Sequence, residues 1–289
     1  MQLLVYILIY PVIWGISMLP FRLLYILSDC VYGIVYYIIG YRKKIVRENL
    51  AIALPHLSDK ERTIIEKKFF HHLCDTFLEM AKTMTISQKE IERRYKFSNL
   101  EVYLDLEKKQ KSIALLCAHY ASYEWAVSMN FHINHKGIGI YKRIANKYFD
   151  KLVQDIRSRF KAHLVTTKET IPTISKNFRD KTLCVYGFAS DQSPKIGTTY
   201  HWGKFMGIEV PVHTGGEMLA KKYDMNVIFL RTKKVKRGFY EGSFEVLSEN
   251  VKEVPNYEIT DKFLTLVEQQ ILEAPEYYLW THKRWKHQR

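Results

Sequence analysis

Ser112-Ile-Ala-Leu-Leu-Cys-Ala-His119-Tyr-Ala-Ser-Tyr-Glu124-Trp125 decides how this chain is read. Ile113 to Ala118 is a short uninterrupted apolar run, the form of a fully buried strand. It ends on a histidine, and a glutamate follows five positions later. Residues five apart do not share a helix face, because neighbours on one face are three or four apart. His119 and Glu124 can therefore meet only if His119 stays at the strand tip and Glu124 lies in the first turn of the next helix. Ala121-Ser122 is a suitable cap for that helix. A base at a strand tip, oriented by a carboxylate, is a plan for proton abstraction. The residues alone also admit a satisfied core histidine beside an acid drawn to a helix N-terminus.

Outward from this stretch, short β-rich runs alternate with helical patterns. The strands are predicted at 95–98, 113–118, 138–142, 163–166, 182–187 and 226–231. Helical patterns fall near 100–110, 122–134, 147–160, 170–178 and 213–223. Such alternation predicts an α/β domain, a central mixed sheet flanked by helices. Segments near 207–211 and 239–247 are expected as antiparallel edges, and a final helix from about Tyr257 to Glu273. Upstream, Ser58-Asp59-Lys60-Glu61 has the form of a capping box. The apolar spacing of Ile65, Phe69, Leu73, Phe77, Met80 and Met84 predicts a long amphipathic helix behind it. His71 and His72 on that helix read as structural.

The N-terminus is different. Leu3 to Phe21 carries no charge over nineteen positions, close to the ~20 residues a bilayer-spanning helix needs. A second apolar run, Leu23 to Tyr41, holds only Asp29. We expect one spanning anchor, then a helix that lies at the interface or docks on the domain. Residues 1–41 thus form the membrane segment and 42–289 the catalytic domain. Arg42-Lys43-Lys44 and Arg47 behind the apolar runs predict a cytoplasmic body resting on anionic lipid. The whole chain has a formal charge of +14, a field that attracts polyanions of any kind. Cys30, Cys74, Cys117 and Cys184 form no CxxC pair and read as buried free thiols. No zinc-site, dinucleotide or P-loop spacing is present.

Two further stretches can touch a ligand. Lys142 and Arg143 fall at a predicted strand end, followed by Asn146, Asp150, Arg157 and Arg159. That set reads either as a solvated basic helix or as a grip on phosphate or carboxylate. A loop of about eighteen residues, Phe188 to Phe205, begins with Asp191-Gln192 after a strand and has the length of a functional loop. Phe205-Met206-Gly207 and His213-Thr214-Gly215-Gly216 follow it.

In this order, the motifs resemble the lipid A biosynthesis (lauroyl/myristoyl) acyltransferases of Gram-negative bacteria, within the wider lysophospholipid acyltransferase group. The resemblance runs over essentially the whole chain. It rests on the apolar N-terminus, Asn49-Leu-Ala-Ile-Ala-Leu-Pro55, His119-Tyr-Ala-Ser-Tyr-Glu124-Trp125, and the Tyr141, Asn146, Asp150, Arg157, Arg159 block. It continues through Asp191-Gln192, Phe205-Met-Gly207 and Thr214-Gly215, and ends on Pro275-Glu276, Tyr278, Trp280, His282 and Arg284. Two departures stand out: Lys142 where the family has arginine, and Val212-His213 where small or hydroxyl residues are common.

The resemblance implies a glycerolipid-acyltransferase-like fold at the bacterial inner membrane. It implies His119 and Glu124 as the catalytic pair, with Lys142, Arg143, Asn146, Arg157, Arg159, Asp191, Gln192 and Thr214 as substrate-binding residues. The implied donor is an acyl carrier protein thioester, and the acceptor a hydroxyl of a lipid A precursor. No cofactor or metal is implied, because a thioester is already activated. A different lipid acceptor (lysophospholipid, aminolipid or glycosylated phosphoinositide) is the alternative within this chemistry. A membrane-tethered polyanion-binding protein is the alternative outside it, although no nucleic-acid motif is present.

Overall fold

The structure, a computed structural model, describes residues 1–289, the side chain of Thr198 excepted. Its strands are β1 (Tyr95–Phe97), β2 (Ile113–Cys117), β3 (Lys136–Tyr141), β4 (His163–Thr166), β5 (Cys184–Ala189), β6 (Trp202–Phe205), β7 (Ile208–Pro211), β8 (Asn226–Lys236) and β9 (Phe239–Ser248). Its helices are α1 (Gln2–Met18), α2 (Phe21–Gly33), α3 (Lys43–Ala53), α4 (Asp59–Lys82), α5 (Gln88–Arg94), α6 (Leu100–Lys108), α7 (Lys147–Ser158), α8 (Thr170–Arg179), α9 (Gly215–Tyr223) and α10 (Glu258–Glu273).

Seven strands form one sheet in the order β1-β9-β8-β2-β5-β3-β4. All neighbours are parallel except β8 and β9, so the sheet is mixed as expected. The apolar run of β2 occupies the middle, between β5 and β8, with Ile113 to Leu116 all buried. A strand covered on both faces has no polar side to alternate with, which is why it reads as continuous apolar sequence.

Two expected edges behave otherwise. β9 is not an edge, because β1 pairs alongside it. Residues 208–211 join no large sheet; β7 pairs with β6 in a separate antiparallel ribbon. Met206 and Gly207 link those strands with φ of 53° and 77°. Positive φ at both central residues matches the right-handed strand twist, which explains the glycine there. Gly216 answers another need: a Cβ there would lie 2.7 Å from Leu116 Cδ2, so its absence lets α9 sit close on β2. The helical pattern at 122–134 becomes a 3₁₀ helix, Trp125–Phe131. The Asn130 side chain donates to Val127 O at 2.9 Å and competes for a carbonyl that a longer helix would use.

The capping box at Ser58 and Glu61 forms and starts α4, the longest helix. Against α4 lie the apolar N-terminal helices. Leu19 has ψ 137°, the extended conformation favoured before proline, and α1 stops before Pro20. The uncharged run is therefore split. At seventeen residues α1 is ~26 Å long, slightly short of a bilayer core. The continuous helix of spanning length is the second, Phe21–Ile39, whose last turn widens to a π-helix before Gly40 at φ 64°. Both helices expose apolar faces, with Leu4, Leu8, Val12, Leu23, Ile26 and Ile38 among the open side chains.

Polar contacts fasten these helices to the domain. Ser28 Oγ donates to Asp75 Oδ1 at 2.7 Å, and Tyr25 OH donates to Glu79 Oε1 at 2.8 Å. Arg237, in the β8–β9 turn, donates to Asp75 and to Asp29 at 2.7 and 2.6 Å. Lys234 lies 3.6 Å from Asp75. His71 and His72 are indeed structural, bonded to Asp29 and Lys234 at 2.8 and 3.0 Å. The cysteines are free, but Cys30 is exposed on α2 and Cys117 is only partly buried, contrary to the expectation that all four lie in the core.

Candidate active site

The site forms where β2 and β5 end side by side. Cys117 stands opposite Ala189 in the parallel register. Two residues beyond each partner come His119 and Asp191. A two-residue step returns a strand to the same face, so the register brings these side chains together. The turn is sharp: Ala121 has φ 50°, and its N–H donates to Tyr277 O at 2.9 Å.

Asp191, not Glu124, is hydrogen-bonded to the histidine. His119 Nδ1 lies 2.7 Å from Asp191 Oδ1, and the His119 backbone N–H donates to the same oxygen at 3.1 Å. Burial would raise the Asp191 carboxyl, but the charge and hydrogen bonds of His119 outweigh it and hold the group below its usual range. An ionised carboxylate only accepts, so Nδ1 carries the proton and Nε2 keeps its lone pair. Burial would lower the His119 imidazole. Asp191, by charge and hydrogen bond, and then Glu124 reverse this, and its pKa lies above the ordinary histidine value. The Tyr123 ring packs edge-on against the imidazole, with centroids 5.0 Å apart.

Glu124 faces a different partner. It directly precedes the 3₁₀ helix rather than sitting inside an α-helix. Arg157, in the last turn of α7, donates through Nε at 3.1 Å and through Nη2 at 2.7 and 2.8 Å. Buried Trp125, whose Nε1 donates to Thr83 Oγ1 at 3.0 Å, fixes the backbone beside Glu124. Glu124 acts on His119 by charge across space and is itself clamped by Arg157.

The remaining predicted residues separate into groups. Arg159 is occupied at the end of α4, where it donates to Thr83 O and Ile86 O at 2.6 and 2.9 Å and also to Met84 O. Asn146 caps α7 and accepts from Tyr148 N at 3.0 Å. Asp150 holds the loop before α7 by accepting from Ile144 N at 2.9 Å. Lys142 and Arg143 are exposed. Arg143 joins Lys147, Lys151 and Asp150 around an open cavity of about 490 Å³. That cavity runs along α7 from Lys147 to Gln154, and Gln154 is one helical turn before Arg157. Gln192 is partly exposed, and Thr214 is the buried residue before α9.

Sequence reasoning missed two histidines. His213 and His282 are both close enough to His119 and Asp191 to feel their charge. Burial lowers both, His282 to about 4, so both are neutral at neutral pH and do not compete with His119 as acids. The departure at His213 and the C-terminal position of His282 were the available signals.

A positioned base at a strand tip, with its second nitrogen free of hydrogen bonds among the described residues, is equipped to take a proton from a hydroxyl or amine nucleophile. The profile of the family described as "Bacterial lipid A biosynthesis acyltransferase" matches residues 1–287. The chain belongs to that family. The lipid A biosynthesis lauroyltransferase of Escherichia coli (strain K12) is 23% identical over 276 residues, covering 95% of this chain and 89% of that protein. As a lipid A biosynthesis acyltransferase, this chain places an ion-paired arginine and a carboxylate-bound histidine at one end of its sheet.

Proposed function

We propose that the protein transfers a fatty acyl chain from an acyl carrier protein thioester to a hydroxyl of a lipid A precursor. The observation that carries the mechanism is the Asp191-bound Nδ1 of His119, which leaves Nε2 as the base. Nε2 takes the hydroxyl proton while that oxygen attacks the thioester carbonyl carbon. Asp191 orients the imidazole and stabilises its charged form. The tetrahedral intermediate collapses, the ester bond stays, and the carbon–sulfur bond breaks. The departing thiolate takes the proton back from His119. General-base help of this kind is worth ~10²–10⁴-fold.

With Arg159 occupied by helix carbonyls, Arg157 is the better candidate for the developing oxyanion. Its Nη1 makes no hydrogen bond among the described residues, while Nε and Nη2 grip Glu124. Arg143, Lys147 and Lys151 around their cavity suit a phosphate of the acceptor. The reaction takes place on the cytoplasmic face of the inner membrane. The exposed apolar faces of α1 and α2 contact lipid, and the Arg42-Lys43-Lys44 cluster favours an anionic leaflet.

Acyl transfer by membranes carrying His119→Ala or Asp191→Asn tests the mechanism; near-normal turnover in either variant defeats it. Mass spectrometry of lipids from a deletion strain tests the acceptor. Loss of one acyl chain from lipid A supports it, and unchanged lipid A removes it.

A further inference from the structure

The stretch 277–284, near the C-terminal end of the fold, holds both arms of the His119–Asp191 pair. On the histidine side, Ala121 N donates to Tyr277 O at 2.9 Å, and Tyr120 and Tyr278 form an isolated antiparallel bridge. On the carboxylate side, Ser193 N donates to His282 Nε2 at 3.2 Å, and Ser193 Oγ donates to Arg284 O at 2.7 Å. The stretch is itself fixed from behind. Asn49 Nδ2 donates to both Trp280 O and His282 O at 2.7 Å, and Arg42 Nη1 donates to Thr281 O at 3.1 Å.

Within this stretch Arg284 is 0% exposed. Its Nη1 reaches Pro211 O at 3.0 Å and Ser193 Oγ at 3.3 Å, and its guanidinium lies over the Phe205 ring. Its Nε and Nη2 are buried without a hydrogen-bond partner among the described residues. Burying an arginine with two unpaired nitrogens is costly, and only nearby opposite charge and hydrogen bonds offset that cost. Asp191 is close enough to interact with it by charge, although the two form no direct ion pair among the described residues.

We propose that Arg284 is a positioning residue. Its buried cation, carried by the 277–284 clasp, holds Asp191 in register with His119 and tempers the carboxylate's pull on the imidazolium, so that Nε2 stays free to act. This rests on the acyl-transfer reading of His119. The groups facing His119 are Asp191 after β5, Glu124 and Tyr123 after β2, His213 before α9, and His282 in the clasp. Arg157 reaches it through Glu124, and Arg284 and Tyr278 act through Asp191. Removing the Arg284 cation favours the imidazolium form.

The test is the pH profile of acyl transfer by the full-length protein, with an acyl carrier protein thioester as donor, for R284Q, R284K, S193A and H119A. R284Q is expected to lose ~100-fold in kcat, as a slightly misplaced base does. Its acid limb of kcat/KM should move up by ~0.5 unit or more. R284K, which restores the charge, should return the limb to its wild-type position. S193A leaves the charge but frees the turn after Asp191; it should lose ~10-fold in kcat with the limb unmoved. An unmoved limb in R284Q, a limb that R284K does not restore, or wild-type turnover in S193A overturns the proposal. The S193A and R284K results decide it even if R284Q does not fold. Activity in H119A would instead overturn the catalytic reading on which the clasp depends.

Discussion

Asp75 and Asp191 are both buried carboxylates, at 0% and 1% exposure, and they are held in opposite ways. Asp75 accepts from Ser28 and, through both oxygens, from Arg237, with Lys234 beside it. Asp191 receives both of its hydrogen bonds on Oδ1, from the His119 backbone and ring. Its Oδ2 has no hydrogen-bond partner among the described residues; the Tyr278 hydroxyl feels its charge without a well-formed bond. A saturated buried carboxylate joins elements together. An unsaturated one has negative charge left to act on a histidine. Burial alone does not separate structural from working charges, whereas the count of satisfied lone pairs does.

The largest effect should come from the working side. His119→Ala should lower kcat ~10²–10⁴-fold, and Asp191→Asn should fall in the same range, each with little change in thermal midpoint. A loss of stability matching the loss of rate in Asp191→Asn would erase the contrast with Asp75. Next comes the saturated side. Asp75→Ala should cost about 3–5 kcal/mol in denaturant titration, because it removes the buried carboxylate that Arg237, Lys234 and Ser28 share. Turnover per folded molecule should persist.

The pH dependence refines the comparison. The pKa of His119 lies above the ordinary 6.5, so kcat/KM should fall as pH drops through a value higher than that. Asp191→Asn should move this limb back down. The same raised pKa stabilises the fold below the unfolded value, and this contribution disappears as pH rises through the folded one. Glu79, beside Asp75 on α4, is pushed by burial from 4.5 to about 7, against Lys234 and two tyrosine hydroxyls. Between those values the folded state binds more protons than the unfolded, so stability should decline as pH rises. Glu79→Gln should flatten that decline in denaturant titrations at pH 5 and pH 8.

The smallest effect belongs to Arg159. Arg159→Ala should cost about 1–2 kcal/mol of stability through lost helix-end contacts, with turnover close to wild type. Arg157→Ala should lower turnover ~10-fold or more. Equal losses in the two would refute the division between helix-end and reaction-centre arginines.

The central sheet was legible because buried parallel strands leave apolar runs, and β2 and β4 fall within a residue of their predicted limits. The capping box was legible because its chemistry is local. The orienting carboxylate was not, because Asp191 is 72 positions from His119 and meets it only through strand register. Spacing within one stretch drew attention to Glu124, whose partner Arg157 is equally invisible to local pattern. Arg159 resembled Arg157 in sequence, two positions away, yet a helix turns ~200° over two residues and sends them to different surroundings. The split at Leu19-Pro20 was foreshadowed by the proline itself; the docking of α2 depended on Arg237, far downstream.

That last distance matters for how the molecule is made. Arg237 lies 208 positions after Asp29, and it also supplies the hydrogen bonds that complete Asp75. At ~5–20 residues per second, α2 waits about 10–40 s on the ribosome before its ionic clasp exists. During that interval α2 carries an apolar face together with Asp29, whose earlier partner is His71 on α4. The β8–β9 turn then supplies the arginine that completes the contact. The docking of α2 against α4 is therefore completed only after β8 has been made.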